Sequence, residues 1–176
     1  MVAKGPHFKT LCAINLSGLS LSDTAFLAYV VAEINRYQVN PRQLCFEITE
    51  TAVIANLDRS RQFIQTLREM GCRFSLDDFG SGLASFAYLK NLQVDFLKID
   101  GLFIKGISNN AVDKAMVESI NHVGQMMGLA TIAEFVEDEA SLAMVKAIGI
   151  DYAQGYAVAQ PALFDDSYFI ASRDLD

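Results

Sequence analysis

The 176 residues are 52% hydrophobic and 20% charged, with a formal net charge of −7. That length and balance suit one domain with its own core and exclude a disordered chain. The negative charge argues against polymeric nucleic acid held through a basic surface, and no apolar run nears the roughly 18 residues of a membrane span. The opening MVAKGPHFKT lacks the apolar stretch of a signal peptide, so the cytoplasm is the expected compartment. Cys12, Cys45 and Cys72 form no C-x-x-C pair, and each stands at the start of a predicted strand. Buried reduced thiols follow, with neither a disulfide nor a zinc site.

In chain order, Leu11–Leu16 reads as a strand. A helix capped by Ser22 or Asp23 then presents Phe26, Leu27, Val30, Val31 and Ile34 on one face. After Pro41, Leu44–Thr49 is the second strand. Asp58 is the expected cap of a helix carrying Phe63, Ile64, Leu67 and Met70, which Gly71 closes. Cys72–Leu76 is the third strand, Ser85–Leu89 a short helix, and Val94–Ile99 the fourth strand. Asn109 or Asn110 opens a helix through Ala115, Met116, Ile120 and Val123 that stops near Gly128. Leu129–Ala133, a helix over Glu139–Ile148, the strand Ile150–Ala153 and a last short helix around Asp165–Ala171 follow. Residues 1–10 read as a lead-in and residues 162–176 as a tail to this single domain.

Strand followed by helix, repeated six times, predicts an α/β fold with a parallel sheet and helices outside it. The chemistry-prone side chains fall at successive strand ends: Asn15, Glu47, Asp77 with Asp78, Lys98, Glu134 and Gln154. A ring of such ends fits the carboxyl face of a (β/α) barrel better than the single crevice of a doubly wound sheet. A complete barrel of the TIM type has eight strands and usually about 250 residues. The expectation is therefore an incomplete barrel of about six units with open edges.

Two adjacent aspartates at the end of an apolar strand repel each other and need a cation. Asn15, Glu47, Asp77 and Asp78 supply oxygen ligands only, and the two histidines, His7 and His122, lie outside the strand ends. That set suits magnesium or manganese, with calcium as a competitor, and disfavours zinc. If Asp77 bridges two ions and Asp78 serves one, the pair can activate water for displacement at phosphorus. Lys98 then stands near the attacking water or the phosphoryl oxygens. Glu134 is a ligand or a general base, and Gln154 orients water or ligand.

Taken singly, these residues have plainer readings. Asp78-Phe-Gly-Ser-Gly82 makes a turn, with Gly80 and Gly82 free to take positive φ. Lys98 pairs with Asp100 or Glu134, Glu50 caps a helix or anchors a loop, and Tyr156 packs at the rim or stacks on a base. Six such groups on one rim favour the site.

The ordered set NLS (Asn15–Ser17), FEITE (Phe46–Glu50), DDFGSG (Asp77–Gly82), KID (Lys98–Asp100), AEFVE (Ala133–Glu137) and QGY (Gln154–Tyr156) closely resembles the EAL-domain family of bacterial cyclic di-GMP phosphodiesterases and related receptors. The likeness runs from about Leu11 to Pro161. It implies a modified barrel that hydrolyses cyclic di-GMP to linear pGpG with magnesium or manganese, calcium being an inhibitory competitor. On the family pattern Asn15, Glu47 and Asp77 bind metal, Asp78 binds the second ion, and Lys98 positions the nucleophilic water. Glu134 matches the acid–base or metal-associated glutamate, Gln154 the glutamine near the metals, and Glu50 the glutamate that steadies the loop after DDFG.

Two departures stand out. No Glu-Ala-Leu tripeptide occurs in the sequence, and Phe135 replaces a common glycine. The chain resembles the carboxyl-terminal two-thirds of such a domain, with GGDEF or sensor domains expected in a larger parent. Its own phosphodiesterase activity is expected to be impaired. A receptor that binds cyclic di-GMP without cleaving it, or a module that dimerises through open barrel edges, is the alternative. A Schiff-base aldolase using Lys98 explains none of the acidic groups.

Overall fold

A computed structural model describes residues 11–80 and 86–163 of the chain. Six parallel strands form one sheet in strict sequence order: β1 (Cys12–Leu16), β2 (Leu44–Thr49), β3 (Arg73–Phe79), β4 (Phe96–Ile99), β5 (Ala130–Ala133) and β6 (Tyr152–Ala153). Each strand pairs only with its sequence neighbours among the described residues. A doubly wound sheet would reverse its order part-way, and this one does not. The order is that of an unclosed (β/α) barrel.

Helices fill the connections: α1 (Gly18–Ser22), α2 (Thr24–Arg36), α3 (Glu50–Ala55), α4 (Leu57–Met70), α5 (Phe86–Leu89), α6 (Gly101–Ile104), α7 (Ala111–Met126) and α8 (Glu139–Ile148). Their starts follow from side-chain oxygens that accept otherwise orphaned N–H groups. Asp23 accepts from Ala25, Asn110 from Val112 and Asp138 from Ser141. Gly71 and Gly149 end α4 and α8 at φ +107° and +80°, a conformation that costs glycine little. Asp58 is not the cap of α4: Asn56 holds that place without a side-chain bond, and Asp58 lies in the first turn. Ser85, Gly82 and the helix expected around Asp165–Ala171 lie outside the described residues.

Side-chain alternation divides the sheet into two faces. Phe46, Ile48, Phe74, Leu76, Leu97 and Ile99 point outward into a core with Phe63, Ile64 and Leu67 of α4 and Val117 and Ile120 of α7. Ala13, Glu47, Ser75, Phe96, Ile132 and Tyr152 line the concave face around a cavity of ≈ 380 Å³. Residues from both β1 and β6 share that cavity, so the sheet curls like part of a barrel wall. All three cysteines are free, and burial pushes the thiols of Cys45 and Cys72 up to about 12 and about 11. They behave as small apolar side chains.

At the amino ends of the strands, aspartates latch one strand to the next. Asp95, just before β4, accepts from the Phe74 N–H of β3 at 2.9 Å and from Arg68 at 2.6 Å. Asp151, just before β6, accepts from the Thr131 N–H of β5 at 2.8 Å, and Thr131 in turn donates its hydroxyl to Asn121 at 2.6 Å. The opposite rim is thereby left for chemistry.

Candidate active site

Lys98 organises the carboxyl rim. Its side chain is only 3% exposed, and Nζ lies 2.8 Å from Glu134, 3.1 Å from Asp77 and 3.2 Å from Glu47. Burial by itself would lower the lysine pKa, but the hydrogen bond and charge of Glu134, then Asp77 and Glu47, outweigh it and raise it. The three carboxylates thus favour the charged form of Lys98. Burial has the opposite effect on Glu134, which is pushed up to about 7 despite Lys98, with Asp77 adding to the rise.

How β3 presents two consecutive aspartates is explained by its register. Leu76 pairs with Leu97, and the next partners are Phe79 and Ile99, so two residues of β3 oppose Lys98 alone. This is a β-bulge, and Asp78 takes φ +56° within it. The extra residue breaks the alternation that would send adjacent side chains to opposite faces. One oxygen each from Asp77, Asp78 and Glu134 consequently lie within 4.8 Å of one another. Burial, then the charges of Asp77 and Asp100, raises the Asp78 pKa against the pull of Lys98. Such a crowd of anions fits a hard divalent cation.

The other expected groups flank this centre. Asn15 of β1 pairs in register with Glu47 of β2 and is exposed. Gln154 follows β6, exposed, with its N–H bonded to Ala133 O at 2.8 Å and its carbonyl accepting from Val136 N at 3.0 Å. It lines both the central cavity and a second recess of ≈ 230 Å³ with Glu134, Phe135, Glu137 and Tyr156. Glu50, 2% exposed, accepts from the Gly80 N–H at 3.3 Å and the Tyr88 hydroxyl at 2.7 Å. The engaged hydroxyl of Tyr88 carries no signal in the sequence, because a tyrosine on a short helix reads the same whether or not its oxygen is used.

Phe135 has a second peculiarity. Its backbone takes φ +52°, where a glycine would be at ease, and its ring covers Gly101 while Lys105 Nζ stands 4.7 Å from its centroid. A Cβ on Gly101 would fall 2.7 Å from Phe135 Cγ. Gly101→Ala is therefore expected to destabilise the chain by about 1–2 kcal/mol. In a Phe135→Gly background the same change should cost almost nothing, because the obstructing ring is gone. Urea unfolding of the four proteins checks this, and additive effects would contradict the contact.

The model of the EAL domain matches residues 2–161 of the chain. The chain belongs to the EAL domain family. It is 46% identical over 149 residues to the cyclic di-GMP phosphodiesterase PdeB of Shewanella oneidensis and 42% identical over 149 residues to the cyclic di-GMP phosphodiesterase PdeF of Escherichia coli K12. Each match covers 85% of this chain, but only 17% and 20% of those relatives' own lengths. Among solved structures, the PaMucR phosphodiesterase in complex with c-di-GMP superimposes with a TM-score of 0.81 at 33% identity, over 86% of this chain and 61% of that one. No described helix is long and apolar enough to cross a membrane.

Proposed function

We propose that this EAL-family chain carries the metal-assisted phosphodiester chemistry that hydrolyses cyclic di-GMP to pGpG. The observation that carries the reading is the convergence of Asp77, Asp78 and Glu134 oxygens around one point, beside a buried lysine in contact with Glu47, Asp77 and Glu134. Asn15, Glu47, Asp77 and Asp78 would hold Mg2+ or Mn2+, with Ca2+ as an inhibitory competitor. Ions bound there supply an activated water and Lewis-acid stabilisation of the phosphoryl group.

The chain's own groups do the rest. Lys98, held at a fixed place by its carboxylates, orients the incoming water and offers positive charge where the phosphoryl oxygens gain negative charge. Glu134, with its raised pKa, sits beside Lys98 and can exchange a proton with the reacting oxygens. Gln154 steadies water or ligand at the edge, and Glu50 supports the backbone after Asp78. Water adds to phosphorus, the P–O3′ bond breaks, and the released 3′-oxygen takes a proton, leaving a linear dinucleotide with a 5′-phosphate.

Turnover by this chain alone is expected to be slow, since Asn15 and Gln154 occupy exposed ends of an open sheet. A larger parent with GGDEF or sensor domains fits the small share of PdeB and PdeF that it spans. A dimer through the sheet edges gains support from β1 and β6, each paired on one side only among the described residues. A monomer mass at every concentration in light scattering excludes it.

Manganese titration followed by electron paramagnetic resonance tests the site. Binding is expected, and Asp77→Asn, which removes a charged ligand, should weaken it by more than the roughly 10–100-fold that outer-shell changes cost. A chain that takes up no Mn2+ while folded would overturn the reading. Chromatography of cyclic di-GMP incubated with the chain and Mn2+ then shows whether pGpG forms.

A further inference from the structure

Past the bulge, β3 pairs with β4 again at Phe79 and Ile99. Asp78 and Gly80 both take left-handed conformations, at φ +56° and +99°, with Phe79 between them. Bonds from beyond the ladder reach this stretch as well: Asp78 N–H to Asp77 Oδ1 at 3.0 Å, Asp100 N–H to Phe79 O at 3.4 Å, and Gly80 N–H to Glu50 Oε2 at 3.3 Å. Two of these reach to other strand–helix units: Asp100 follows β4, and Glu50 opens α3 after β2.

A carboxylate as buried as Glu50 must be met by donors or it turns away. Among the described residues no lysine or arginine forms an ion pair with it. Its shortest described bond comes from the Tyr88 hydroxyl on α5, at 2.7 Å to Oε1. Burial, followed by the Glu50 bond and charge, raises the Tyr88 pKa, so the phenol remains a donor. With one oxygen tied to Tyr88, the other is directed at Gly80.

We propose that Tyr88 is a positioning residue for the metal site: its phenol holds the Glu50 carboxylate so that it grips Gly80 and fixes the bulge that presents Asp77 and Asp78. The inference rests on the metal-site reading given above. Tyr88 touches neither ion nor substrate. It acts through Glu50, on the backbone two residues beyond Asp78.

The test is Tyr88→Phe in the full chain, which keeps the ring and removes the oxygen. Ser60→Ala, which removes a hydroxyl bond within α4, serves as a control for mild loss of stability. Two quantities are read well below the unfolding temperature: Mn2+ affinity and hydrogen exchange at the Gly80 amide. Tyr88→Phe should weaken Mn2+ by about tenfold and speed Gly80 exchange, while Ser60→Ala changes neither. Glu50→Gln should reproduce the loss, and the double variant should be no weaker than the worse single one. Affinity within twofold of the parent in folded Tyr88→Phe overturns the proposal. If the parent itself takes up no Mn2+, the metal reading fails separately. Gly80 exchange then judges the clamp, and an unchanged rate overturns it.

Discussion

Lys98→Met is expected to destabilise the metal-free chain by about 3–5 kcal/mol, the usual cost of stripping one partner from a buried ionic cluster. Methionine nearly matches the volume of the lysine stem, so packing is largely kept and the loss is electrostatic. Glu47, Asp77 and Glu134, with side chains 12%, 13% and 10% exposed, would then face one another without the cation. Divalent metal should recover part of that loss, since it supplies positive charge among the same oxygens. The discriminating measurement is thermal unfolding with and without Mn2+: the midpoint of the variant should rise more than that of the parent. Equal midpoints without metal would show that Lys98 does not balance these charges. Where turnover can be measured, the variant should be about 10²–10³-fold slower, as for loss of one charge-stabilising donor.

Gly155→Ala is the second large effect expected, at about 2–4 kcal/mol. Gly155 follows Gln154 and takes φ +153°, and an added Cβ would fall on the Val136 backbone, 2.7 Å from its carbonyl carbon. Backbone cannot rotate aside as a side chain can. Relief would require parting the loops after β5 and β6, which are tied by Val136 N–H to Gln154 O at 3.0 Å and Ala157 N–H to Val136 O at 3.0 Å. Gly128→Ala is the comparison, because Gly128 has φ +75° and nothing within 4 Å of the added carbon. It should cost only about 1 kcal/mol, the backbone penalty without the collision. Urea denaturation of both variants decides, and similar losses would remove the steric explanation.

Much of this architecture is legible in the chain itself. Apolar runs of four to seven residues alternating with helix-period stretches give six strands in order, and the polar residues at their ends mark one rim. Lys98, Glu134 and the Asp77–Asp78 pair stand out because charge at the end of an apolar strand needs a reason. What sequence does not disclose is set by contacts between distant units. The third strand runs on to Phe79 because β4 continues to pair with it past the bulge, whereas alternation alone ends it at Leu76. Asp58 has the composition of a cap, but the chain enters α4 one residue earlier, at Leu57. Phe135 takes a left-handed backbone and lays its ring on Gly101, 34 positions away in sequence, a contact that neither residue type announces. The short helices α1, α3 and α6 are too brief for periodicity to reveal them.

The unbroken order of the sheet also bears on how the polypeptide reaches this form. Every ladder among the described residues joins consecutive segments, so none of these strands must wait for a partner distant in sequence. Closing loops of a few tens of residues carries a modest entropic penalty compared with joining termini. The wall can grow by accretion, one unit docking on its predecessor while later residues are still being synthesised.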